Sequence, residues 1–170
     1  MRITDKYVYF WEDWLSNWHH SEFTAVAFGK PFLFSNSEQY FMFQKALYFH
    51  DNMTANEILE FGGDPKEAKR LGRKIANYND EAWAKVRLEK MYDSCLKKFS
   101  TSDMKARLLD PKFDGKHFVE GSPYDKVWGI GVHYKDAKDD QSNWNGENLL
   151  GQVLDKVRAT LKENTDGSKH

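Results

Sequence analysis

Short apolar runs open this chain and longer helical stripes follow. Tyr7-Val8-Tyr9-Phe10-Trp11 is rich in aromatic and β-branched side chains and predicts a strand. Trp14 to Glu22 mixes polar and aromatic residues without a period and reads as a loop. Phe23-Thr24-Ala25-Val26-Ala27-Phe28 predicts a second strand, and Gly29-Lys30-Pro31 turns it into Phe32-Leu33-Phe34, its hairpin partner.

Helical signals then take over. Ser35 and Glu38 have the spacing of a capping box, which predicts a helix to about Phe49. Met53 to Phe61 is a short helix ended by Gly62-Gly63. Asp64-Pro65-Lys66-Glu67 is a strong start signal, a capping Asp followed by Pro at the first helical position, for a helix to about Ala76. Asn79 or Asp80 caps the next, whose stripe Trp83, Val86, Met91, Leu96 and Phe99 keeps helical spacing. Ser102 to Leu109 is one more short helix, stopped by Asp110-Pro111. His117-Phe118-Val119-Glu120 is a short strand, Trp128 to Val132 is extended, and Gly146 to about Lys162 is the last helix, with Asn145 as its cap. Together these predict a mostly helical α+β fold with a small sheet of short strands. With no repeat and no linker, one domain is expected over residues 1–162 and a disordered tail over 163–170.

Composition narrows the classes. A chain of 170 residues is long enough for a sizeable core, burying roughly 70% of the surface its unfolded form exposes. A net charge of −1 gives no strong pull toward bulk DNA or an anionic membrane. Cys95 stands alone, which excludes an intramolecular disulfide and a multi-cysteine zinc site and suits a reducing cytoplasm. The first residues lack the apolar run of a signal peptide, and no segment approaches a membrane span. Aromatic residues are abundant, with 12 Phe, 8 Tyr and 6 Trp. Most must be core, but several lie in polar loops.

The candidate chemistry starts at Glu38 and Lys45. Seven residues apart, at about 100° per residue, they return to nearly the same helical face. An acid and an amine stacked among aromatics can begin an active site, and a lysine desolvated by rings loses proton affinity and becomes a usable nucleophile. Against this, a capping-box Glu need only bond its own backbone, and most helical lysines are simply solvated. Lys69, Arg70, Arg73 and Lys74 cluster on one helix; that is either a solvated face or a phosphate site, with Arg73 favoured by its neighbour Gly72. Arg87 can pair with an acid or a phosphate. In the segment 120–131, Glu120 and Asp125 are carboxylates on a glycine-punctuated loop, and Trp128 can stack on a planar base. No His-Glu-x-x-His, EF-hand, P-loop or Gly-x-Ser-x-Gly motif occurs.

Several of these segments, in order, resemble the NADAR or YbiA-like family. Leu15-Ser16-Asn17-Trp18 with Ser21-x-Phe23 is similar to its first element, and Ser37-Glu38-Gln39-Tyr40-Phe41 with Gln44-Lys45-Ala46 to its most specific motif. Pro65-x-x-Ala68-Lys69-x-x-Gly72-Arg73 and Trp83…Arg87…Met91 resemble the middle helices. Val119-Glu120-x-Ser122-Pro123-x-Asp125-x-x-Trp128-Gly129-Ile130-Gly131 and Trp144-Asn145-Gly146-x-Asn148-Leu149-Leu150-Gly151 match the late motifs. Gln39 stands where His is usual, Trp18 where Phe is usual, and Asn145 where Arg is common; the last puts one phosphate contact in doubt. The resemblance implies an N-glycosidase that cleaves a ribose C1–N bond, without metal or cofactor. Its substrate would be phosphorylated and nucleotide-like, either a riboflavin-pathway intermediate or ADP-ribose on guanine, free or in nucleic acid. Glu38, Lys45 and Asp125 are the implied catalytic residues. Asn17, Lys69, Arg73, Arg87, Glu120, Trp128 and Asn148 are the implied substrate-binding ones. The alternative is a non-catalytic NAD or ADP-ribose reader, in which the same residues bind and none turns over.

Overall fold

The computed structural model describes residues 1–167. Its elements are β1 (Arg2–Ile3), β2 (Tyr7–Phe10), β3 (Phe23–Ala27), β4 (Lys30–Phe34), α1 (Ser37–Tyr48), α2 (Asn52–Phe61), α3 (Pro65–Arg73), α4 (Asp80–Phe99), α5 (Ser102–Leu108), β5 (His117–Glu120) and α6 (Leu149–Gly167), with a 3-10 turn at Pro111–Phe113. The class is mostly helical α+β, as the pattern predicts. The elements fall into two compact units, one of Asn17–Thr101 and one of Met1–Ser16 with the chain from Ser102 onward. No helix among the described residues is long and apolar enough to cross a membrane.

In the unit of residues 17–101, α1 is the central element, packed against α2, α3, α4 and β4. A helix covered on several sides cannot keep a polar face, so Ser37, Glu38, Gln39 and Gln44 are buried along with Phe41 and Phe43. Gln44 Nε2 donates to Ser94 Oγ at 2.7 Å and the Lys90 carbonyl at 3.0 Å, fastening α1 to α4. Gly72 of α3 lets α3 lie close to α1, since a Cβ there would sit 2.1 Å from Met42 Sδ. The β3–β4 hairpin pairs Phe23 with Phe34 and Ala27 with Lys30, and its Phe23, Phe28 and Phe34 rings join Tyr40 and Phe43 of α1.

The cap of α1 is not the expected one. Asn36 is the N-cap, its Oδ1 accepting from the Gln39 N–H at 2.8 Å. Gln39 reaches back past the cap, its Oε1 accepting from the Ser35 N–H at 2.8 Å, while its Nε2 donates to the Ile58 carbonyl of α2 at 3.0 Å. The cap therefore sits one residue later than Ser35, and Gln39, not Glu38, is the side chain that turns back to the chain before the helix.

In the other unit, β2 lies between β1, antiparallel, and β5, parallel, with Tyr7 opposite His117 and Phe10 opposite Glu120. Helix α6 packs on β5. Tyr9, Val119, Ile130 and Ala137 form a buried cluster edged by Tyr7, Val132, Tyr134 and Trp144. The expected extended segment 128–132 is not a strand, and the last helix begins at Leu149, not at Asn145. Both differences have one cause: the Val127 and Trp128 carbonyls accept from the Leu149 and Leu150 N–H groups at 3.1 and 3.0 Å, meeting the orphan donors of α6's first turn with main chain instead of a capping side chain. At its other end α6 runs to Gly167, so the tail expected from 163 is helical that far; residues 168–170 lie outside the described residues.

Candidate functional site

Within the helical unit, α1 carries Glu38 in its first turn and Lys45 in its last. With the cap made by Asn36 and Gln39, the local structural reason for a Glu at position 38 falls away. Glu38 is buried, and its backbone N–H donates to the Asn17 carbonyl at 3.2 Å. Lys45 is half-buried; its Nζ donates to the Gly72 carbonyl at 3.1 Å and lies 4.5 Å from the Tyr78 ring centroid and 5.9 Å from that of Trp83. Burial pushes the Lys45 ammonium below its ordinary range, Glu38 and Asp80 pull it back upward, and Arg73 adds to the lowering. The structure thus brings Glu38, Lys45 and Arg73 into one electrostatic group. Tyr78 and Trp83 complete it; the first is not singled out by the sequence, and the second reads there as a core position and as part of a middle-helix motif. An aromatic immediately before a helix cap, as Tyr78 is before Asn79, is the one local hint.

The basic cluster of α3 divides in two. Arg70 is bonded to Glu67, and Lys74 to Glu57 at 2.6 Å, so both are neutralised. Lys69 lies 5.8 Å from the ring centroid of exposed Trp18, and neither it nor Arg73 makes an ion pair among the described residues. Arg87 is half-buried on α4, near enough to Tyr78 to lower its phenol against the stronger upward push of burial. Asn17 is placed differently from a ligand-facing amide. Its Oδ1 accepts from the Ser37 hydroxyl at 2.9 Å and its Nδ2 points at Met91 Sδ, 3.2 Å away, so it ties the chain before β3 to α1 and α4.

In the other unit, Glu120 ends β5, half-buried, with its backbone held on both sides. Its N–H donates to Asn148 Oδ1 at 3.0 Å and its carbonyl accepts from the Ile130 N–H at 3.0 Å. Asn148 also donates from Nδ2 to the Phe118 carbonyl at 3.1 Å, and it does so from a left-handed backbone, φ 53°. Its amide is spent on β5. Asp125 folds its own loop: Oδ1 accepts from the Val127 and Trp128 N–H groups at 2.9 and 2.8 Å, while Ser122 Oγ accepts from the Asp125 and Tyr124 N–H groups. Gly129 fits under this loop because a Cβ would meet the Asp125 and Glu120 carbonyls at 2.9 Å and Glu120 Oε2 at 3.3 Å. The structure therefore brings Glu120, Asp125 and Asn148 to one loop cluster, with half-buried Trp128 in the same turn.

The NADAR domain profile matches residues 9–162. Protein irg-1 of Caenorhabditis elegans is 41% identical over 131 residues, 75% of this chain and 61% of that protein, so the chain spans about three-fifths of that relative's length. A protein named an N-glycosidase in Acanthamoeba polyphaga mimivirus is 37% identical over 166 residues, 91% of this chain and 96% of its own. A protein also named an N-glycosidase in Nostoc punctiforme is 31% identical over 126 residues, 74% of this chain and 72% of its own. The NMR structure of the Escherichia coli protein YbiA has the same fold, with a TM-score of 0.73 and 25% identity, covering 96% of this chain and 89% of that one.

Proposed function

The chain belongs to the NADAR domain family, and from that premise we propose that it is an N-glycosidase acting through Glu38 and Lys45 on the ribose C1–N bond of a phosphorylated, nucleotide-like substrate. The N-glycosidase names of two relatives support the reaction class. The observation that carries the residue assignment is Lys45, held half-buried over Tyr78, its ammonium disfavoured by burial and supported most by the Glu38 carboxylate. A reader of phosphate gains nothing from an amine whose charge burial disfavours, so this favours turnover over binding alone.

In the proposed reaction the neutral Lys45 amine attacks C1 as the C1–N bond breaks. The base leaves with the bonding pair and takes up a proton. Loss of a proton from the new C1–N bond's nitrogen and opening of the ring at its oxygen give a Schiff base, which water hydrolyses to free the sugar and restore Lys45. Glu38 stabilises the positive charge that builds on the sugar and relays these protons. Lys69 and Arg73, the α3 cations without a carboxylate, are the proposed phosphate ligands, with Arg87 as a third. Asp125 is proposed as a second acid or ribose ligand through its Oδ2, and Trp128 as the surface for the base. Asn17 and Asn148, their amides already engaged, act by placing Ser37 and Glu120 respectively. The substrate is a riboflavin-pathway intermediate or ADP-ribosylated guanine.

Incubation with riboflavin precursors, NAD, ADP-ribose and ADP-ribosylated guanosine, followed by mass detection of released base, identifies the substrate. Stabilisation by a ligand without base release would mean a reader. With that substrate, Glu38→Gln should lower the rate about 100- to 10,000-fold while the fold is kept. Borohydride during turnover should trap the sugar on Lys45. A folded Glu38→Gln protein at wild-type rate would remove Glu38 from the mechanism. No adduct, together with an active Lys45→Ala, would leave direct attack by water.

A further inference from the structure

On the side of α1 away from Glu38 and Lys45, the helical unit carries a second concavity. Tyr40 is two residues from Glu38 and so about 200° around the helix from it. With Phe23 and Thr24 of β3 and Asp93, Leu96, Lys97, Ser100 and Thr101 at the end of α4, it lines a groove of about 650 Å³. That volume lies within the range of small-molecule sites. Phe23 and Tyr40 meet edge-to-face, 5.7 Å between centroids, which gives the groove an aromatic wall.

Two polar groups in this wall lack partners. The Asp93 carboxylate and the Tyr40 hydroxyl make no hydrogen bond or ion pair among the described residues, although both side chains are partly buried. Lys97, one turn beyond Asp93, does not close onto it. Burial holds both groups above their ordinary ranges; for Asp93 it outweighs the opposing pull of Lys90 and Lys97, and for Tyr40 the Asp93 charge adds to it. The groove also ends where α4 ends, and helix carbonyls there favour positive charge. Two of these carbonyls already accept from hydroxyls, Thr101 Oγ1 donating to that of Lys98 at 2.9 Å and Ser100 Oγ to that of Leu96.

We propose that this groove is a binding site for a small organic cation, a primary ammonium on an apolar body, with the ammonium on Asp93 and the Tyr40 hydroxyl and the body against Phe23 and Leu96. The site is separate from the glycosidase residues, so it stands or falls without them.

The test is a heteronuclear NMR titration of the full chain with 2-phenylethylammonium, its neutral counterpart 2-phenylethanol and the anion phenylacetate. The ammonium should give saturable shifts centred on Thr24, Tyr40, Asp93, Leu96, Ser100 and Thr101. A charge-assisted bond is worth enough that the alcohol should bind about tenfold more weakly or worse, and phenylacetate should leave these amides unmoved. Asp93→Asn should weaken the ammonium by about the same tenfold while glycosidase turnover stays at the wild-type level. Tyr40→Phe should weaken it less. The proposal is overturned if no probe moves this group of amides, if alcohol and ammonium bind alike, or if Asp93→Asn changes affinity less than about twofold. Should Asp93→Asn not fold, the comparison of ammonium with alcohol on the wild-type chain decides alone.

Discussion

Lys45 is the residue whose chemistry depends most on its surroundings. Its spacing from Glu38 was legible in the sequence; the ring of Tyr78 and the Gly72 carbonyl that hold its amine were not, because they arrive from α3 and the segment after it. Burial disfavours the ammonium, and the Glu38 carboxylate is the first group that opposes this. Removing that charge has a definite sign. Glu38→Gln should lower the Lys45 pKa further, so the free amine forms at lower pH even though turnover is lost. Following a labelled Lys45 amine by NMR across pH should show the downward move, and an upward or absent shift would mean that Glu38 does not act on Lys45. The linkage to stability runs the same way in the wild-type chain. Between the depressed folded pKa and the ordinary unfolded one, the unfolded chain binds more protons, so this site's contribution to stability rises with pH across that interval.

Helix ends separate what the sequence states from what it withholds. Asp64 with Pro65, and Asn79, are where local chemistry puts them, because an Asx cap needs only its own next turn. The cap of α1 is displaced by one residue because two caps were available, and Gln39 decides between them by bonding Ser35 behind it and α2 beside it. This is also a physical role for Gln39 where the family usually has His. Asn36→Ala should therefore cost about 1 kcal/mol by denaturant unfolding, and Ser35→Ala much less; equal losses would restore Ser35 as the cap. Helix α6 shows the opposite case. Its first donors are met by carbonyls of Val127 and Trp128, some twenty residues earlier, and no local pattern encodes that. What fixes it is close approach. A Cβ on Gly151 would sit 2.0 Å from the Phe118 carbonyl oxygen and 2.4 Å from Asn148 Nδ2. Gly151→Ala should destabilise by about 1–3 kcal/mol through overpacking against main chain, and it should loosen the Asn148 clamp on Glu120. A variant as stable as wild type would show that β5 and α6 have room that the structure does not show.

At the scale of the whole chain, the two units differ in how far apart in sequence their partners lie. The helix pattern predicted nearly every element of residues 17–101, because α1 meets α2, α3 and α4 within one continuous stretch. The pairing of β2 with β5 was not predictable from either strand, since Tyr7 and His117 face each other across 110 residues of chain (117 minus 7). Closing so long a loop costs entropy before any contact repays it, and non-local strand pairing is correspondingly slow. The chain should then order from the middle outward. In pulse-labelled hydrogen exchange during refolding, amides in α1 and α4 should gain protection first, and those of Tyr7–Phe10 and Phe118–Glu120 last. The carboxylates Glu120 and Asp125 would reach their final positions only in that late step, after Glu38 and Lys45 already share a face of α1. Recovery of activity should track the late amides for as long as Asp125 is needed for turnover. Activity returning with the early phase would confine the chemistry to residues 17–101.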